Sequence, residues 1–111
     1  MTENARTLSA DVFTEHLDHG PADQVVEGSP LTAVHTLGEV GDTEVGIWEL
    51  TEGAVRDTEV DELFVVLSGR GRIDFDNGET VHLSPGVCVR LREGEQTTWT
   101  ITETLRKVYL T

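Results

Sequence analysis

From Leu31 onward the sequence divides into short stretches of strand-forming residues, each closed by a turn signal, and this pattern limits the fold more than any other feature. The stretches are Thr32 to Leu37, Glu44 to Leu50, Glu59 to Leu67, Arg72 to Phe75, Thr80 to Leu83, Val87 to Leu91, Thr97 to Ile101 and Lys107 to Leu110. Gly38 to Asp42, Ser68 to Gly71 and Asp76 to Gly78 are the clearest breaks. Asp76-Asn77-Gly78 is a strong hairpin signal, because a tight hairpin turn needs residues that accept positive φ. Closely spaced antiparallel strands are therefore expected, as a sandwich or a jelly roll, and periodicity alone does not choose between them. Leu63 to Leu67 is apolar on both parities, which suits a strand covered on both faces by its own barrel or by another subunit.

The chain before Leu31 reads differently. Met1 to Leu8 is polar and unpatterned. Ser9 offers an N-cap for a short helix over Ala10 to Leu17, with Asp11 in its first turn and Val12, Phe13, His16 and Leu17 along one side. Gly20 and Pro21 end it, and turn-forming residues lead on to Leu31. The expected organisation is an N-terminal helix and arm over residues 1–30 and one barrel over residues 31–111.

A chain of 111 residues has room for one domain and one core. Its net charge of −13 would repel phosphate backbones and anionic membranes, so neither nucleic acid nor membrane is an expected partner. The acidity is otherwise that of a well-solvated surface. Cys88 is the single cysteine and cannot form an internal disulfide; it reads as a half-buried, inert thiol. No segment has the pattern of a signal peptide or a membrane span, and a cytoplasmic location is the expectation.

The motifs narrow the fold. Gly46-Ile47-Trp48-Glu49, Asp61-Glu62, the spacing Glu62-x6-Gly69, Pro85-Gly86, Thr98-Trp99 and Arg106-Lys107-Val108-Tyr109 occur in that order. Together they resemble the small single-domain cupins, RmlC-like jelly rolls related to ureidoglycine aminohydrolase and the ethanolamine-utilisation cupin, over about Gly28 to Leu110. The resemblance implies an all-β double-stranded β-helix with Glu62 pointing into the barrel. It also shows what is missing. The histidine places before the motif glutamate fall on Arg56 and Thr58, or on Val55 and Asp57 with the longer spacing, and the later histidine place falls on Thr97. A cupin metal needs imidazoles beside its carboxylate, and Arg56 would add an opposing charge, so no metal of the usual cupin kind is expected, with an atypical divalent ion left open.

The candidate residues each carry two readings. Glu62 is a general base or acid in a partly apolar barrel, or one half of an ion pair with a neighbouring arginine. Arg56 either holds a ligand carboxylate beside Glu62 or serves the surface. Trp48, Phe64 and Trp99 wall a pocket or pack the core. Thr58, Thr97 and Tyr109 complete the list, Tyr109 as a pocket donor or as a closure of the barrel end. His16, His19, His35 and His82 show no ligand spacing. The leading expectation is a small-molecule-binding cupin that holds a small polar ligand with Glu62 and Arg56. The alternative implied by the resemblance is a hydrolase or lyase acting on a small nitrogen-containing metabolite, with Glu62 catalytic. A homodimer is expected, because cupins resembling this one pair through such an arm and such a strand.

Overall fold

The computed structural model describes residues 6–111, so the opening Met1 to Leu8 lies largely outside the described residues. Among the described residues, nine strands form one curled antiparallel sheet. They are β1 (Gly20–Pro21), β2 (Val25–Glu27), β3 (Leu31–Val40), β4 (Thr43–Leu50), β5 (Gly53–Thr58), β6 (Glu62–Phe75), β7 (Thr80–Leu83), β8 (Cys88–Leu91) and β9 (Gln96–Leu110).

The two longest strands organise the rest. β6 runs antiparallel beside β9 from Leu63 opposite Leu110 to Phe75 opposite Thr97. The other edge of β9 pairs first with β5, as Thr58 opposite Gln96, and then with β4, as Trp48 opposite Lys107. The far edge of β6 takes β8 and then β7, so the sheet closes around its own inner face. Alternation along β9 places Thr97, Trp99, Ile101, Leu105, Lys107 and Tyr109 in the buried layer, where Phe64, Ile73, Leu50 and Leu91 meet them. The Asp76-Asn77-Gly78 turn joins β6 to β7 as expected, with Gly78 at φ 98°.

Three expectations are corrected. First, Ala10 to Leu17 is not a helix but a turn at Asp11 to Thr14 followed by extended chain. The Asp11 carboxylate accepts from the Phe13 amide, and Arg106 donates to the carbonyls of Val12 and Glu15, at 2.9 Å each. A helix would need those carbonyls for its own amides. Leu17 is nevertheless buried, packing on Ile47 and Ala33 outside the barrel wall. Second, Ser68 to Gly71 does not end a strand; β6 passes through it with shifts in register, as a bulge. Third, Cys88 is exposed.

Candidate functional site

The inner face carries one charged cluster. Lys107 reaches inward from β9, and its Nζ donates to Glu62 Oε2 at 2.6 Å from the start of β6. The Lys107 and Glu62 side chains are only 6% and 12% exposed. Three rings surround the ammonium, with centroids 4.5 Å away for Trp48, 4.3 Å for Phe64 and 4.8 Å for Trp99. The strand registers dictate this cage, because Trp48 on β4 and Val66 on β6 both face Lys107 across the sheet, and Phe64 stands opposite Tyr109. Burial pushes the Lys107 ammonium below the ordinary lysine value, and Glu62 opposes that push. Removing Lys107 would leave the Glu62 carboxylate without its cation, whereas an amide in place of Glu62 leaves Lys107 with Glu59 and Asp57 nearby.

Two more carboxylates approach from β5 and the bend after it. Glu59 is buried, and its Oε2 accepts from Thr97 Oγ1 at 2.6 Å and from Trp99 Nε1 at 2.9 Å. Asp57 stands at the rim. Burial raises both carboxyl groups above their usual range, against hydrogen bonds that favour the ionised forms. Tyr109 Oη donates to Glu44 Oε2 at 2.6 Å, and burial with that bond pushes its pKa up to about 12. Gly46, opposite Tyr109, makes room for the ring, since a Cβ there would lie 2.5 Å from the phenol oxygen.

These side chains line a half-open cavity of about 180 Å³, bounded by Trp48, Asp57, Glu59, Glu62, Trp99, Lys107 and Tyr109, with Val34 at its edge. At about 30 Å³ per liquid water it has space for about six waters. That suits a ligand of a few heavy atoms and is smaller than the roughly 300–1,000 Å³ of drug-sized pockets. Among the described residues every buried side-chain nitrogen and oxygen has a hydrogen-bond partner.

Of the residues singled out from the sequence, Glu62, Trp48, Phe64, Trp99 and Tyr109 come together around Lys107, and Thr97 lies one layer behind, fixing Glu59. Arg56 does not join them. Its guanidinium turns to Asp76, with Nη1 to Oδ1 at 2.8 Å and Nη2 to Oδ2 at 3.0 Å, and also donates to Thr98. Thr58 is exposed and donates to Gln96. The physical reason is parity: Asp57 faces the cavity, which turns Arg56 and Thr58 to the other face of β5. The expected arginine partner of Glu62 is thus replaced by a lysine. Lys107 and Glu59 were missed as site residues, although Lys107 shares the parity of Tyr109 in a run already singled out.

The donor set does not fit the metal of metal-bearing cupins. No histidine lines the cavity, and an ammonium occupies the carboxylate's coordination side at 2.6 Å. Among the described residues no three His, Cys, Asp or Glu side chains converge in a way that could hold an ion. His19 pairs with Glu49 at 2.6 Å on the outer face, and His16 pairs with Asp18 in solvent.

Residues 37–109 match the family model described as the EutQ-like cupin domain. No curated protein matches the sequence. Among solved structures, the EutQ protein of Clostridium difficile superposes with a TM-score of 0.64 at 22% identity, over 74% of this chain and 68% of that one. A Pseudomonas syringae pv. tomato protein of unknown function from the DUF861 family gives 0.77 at 23% identity, over 90% of this chain and 45% of that one. Ectoine synthase from P. lautus gives 0.63 at 19% identity, over 71% of this chain and 62% of that one. Likeness at these identities speaks for the fold.

Proposed function

The chain belongs to the EutQ-like cupin domain family, and from that premise we propose that it binds a small polar molecule in the barrel cavity, with Glu62 as the polar anchor and Trp48 and Trp99 as walls. The observation that carries this reading is the cavity itself: an opening of about 180 Å³ onto the largely buried Glu62–Lys107 pair, walled by aromatic rings. A surface salt bridge needs no such enclosure, whereas ligand sites combine apolar walls with a few convergent polar groups. Arg56 has no part in this reading, and Tyr109 serves as a rim group held by Glu44. No resident metal is part of the proposal, because the lysine ammonium takes the position beside the carboxylate.

The sequence has two tryptophans and both line the cavity, so their fluorescence reads the site directly. In a screen of small polar metabolites, a ligand is expected to change the tryptophan emission and to raise the thermal midpoint in a concentration-dependent way. Glu62→Gln should weaken that ligand by roughly tenfold or more, the equivalent of about 1.4 kcal/mol, while the variant stays folded by circular dichroism. A panel in which no compound moves either signal would overturn the reading.

A further inference from the structure

Lys107 is the one lysine among the chain's eight Lys and Arg residues. Every other basic side chain is an arginine, including those that make surface pairs with Asp76, Glu103 and Asp74. The one side chain that carries an amine is thus one that opens into the cavity. Arginine keeps its charge under nearly all conditions, whereas a buried lysine can give up its proton and become a nucleophile. Burial favours that loss and pushes the ammonium down from 10.5, outweighing Glu62, Glu59 and Asp57, while the three ring faces also favour the cation. Glu62 lies within proton-transfer distance at 2.6 Å.

We infer that Lys107 forms a covalent imine with a small neutral or cationic aldehyde or ketone admitted to the cavity, with Glu62 as its proton carrier. The inference rests on reading the cavity as a ligand site. In the step itself, the Lys107 ammonium gives a proton to Glu62 and its nitrogen lone pair attacks the carbonyl carbon. The opened C–O electron pair takes the proton from Glu62, leaving a carbinolamine whose nitrogen still carries a positive charge. That nitrogen passes a second proton through Glu62 to the hydroxyl. The C–O bond breaks, water leaves, and the nitrogen lone pair closes the C=N bond. One ammonium and one carbonyl compound become one iminium and one water, with charge conserved. The carboxylates of Asp57, Glu59 and Glu62 outnumber the single ammonium, so a carbonyl compound bearing its own carboxylate is disfavoured.

Reductive trapping tests this on the whole chain. Propanal with sodium cyanoborohydride is expected to place one reduced propyl group on Lys107, mapped by peptide mass spectrometry, faster than on Lys107 of the chain unfolded in guanidinium. The α-amino group serves as an internal standard. Glyoxylate should trap at least tenfold more slowly than propanal, and Glu62→Gln should slow trapping by a similar factor while circular dichroism shows the fold intact. Modification of the α-amino group alone, or of Lys107 no faster than in the unfolded chain, would overturn the inference. Should a non-covalent ligand shift the tryptophan emission while Lys107 stays unmodified, the imine falls and the binding site stands. Loss of both signals removes both.

Discussion

Glu59 shows how the barrel interior sets the chemistry of single residues. The residue is 5% exposed and its carboxyl group accepts two hydrogen bonds, from Thr97 and Trp99, yet desolvation outweighs them and raises its pKa above 4.5. A raised folded-state pKa means that the native state holds the proton more tightly than the unfolded chain. The contribution to stability is then complete below pH 4.5 and is lost as pH rises through the folded value. Glu59→Gln keeps an oxygen acceptor and removes the titration. The stability of the variant relative to the parent should therefore rise from about pH 4 upward, by about 1.4 kcal/mol for each unit by which burial raises the pKa. Urea denaturation at a series of pH values measures it, and a constant difference across that range would contradict the assignment. Neither Glu59 nor Lys107 announces itself in the sequence, because an acidic residue in an acidic chain and a lysine in a strand both look solvated. Their roles follow from depth, which only packing creates.

At the level of the strand, β6 carries the least legible feature. Ser68-Gly69-Arg70-Gly71 has the composition of a turn, and the sequence pattern places a break there. The structure uses these residues instead as a bulge against β9, and the extra residues switch the inward parity from Phe64 and Val66 to Ile73 and Phe75. Gly69 sits at φ 93°, and a Cβ there would press on the backbone of Thr104 and Leu105. Gly94 has nearly the same φ, 90°, with open space around it. Gly69→Ala should combine backbone strain of roughly 1–3 kcal/mol with a steric clash, whereas Gly94→Ala carries the strain alone. Thermal denaturation is expected to rank Gly69→Ala as clearly the less stable, and equal midpoints would refute the close approach. The sequence pattern likewise divides β9 into two strands, Thr97 to Ile101 and Lys107 to Leu110, with polar Thr102, Glu103 and Thr104 between them. They are exposed and need no apolar partner, so a strand can continue through a stretch that hydrophobic periodicity leaves blank.

For the molecule as a whole, the apolar run Leu63 to Leu67 divides its faces. Phe64 and Val66 fill the barrel, while Leu63 and Val65 are 44% and 37% exposed on the outer side. Leu63 stands opposite Leu110, itself 39% exposed, so neighbouring strands present a shared apolar patch. Leu17 covers the adjoining Ile47, and among the described residues this patch stays exposed. A second copy of the chain on that patch is the expected state in solution: light scattering should give the mass of a dimer, and Leu63→Asp should give a monomer. A monomeric parent protein would remove the proposal. The sequence by itself determined the all-β fold beyond Leu31 and the hairpin at Asp76 to Gly78, because alternation and turn chemistry are local and survive in one dimension, and its motifs carried the cupin resemblance, which implied the inward place of Glu62. Which cation meets Glu62 was decided only in the tertiary structure. Arg56 is six residues from Glu62 in the chain, yet it sits on the opposite face of β5, whereas Lys107 reaches Glu62 across the closed barrel. Pairing between distant strands sets that choice, and no local pattern records it.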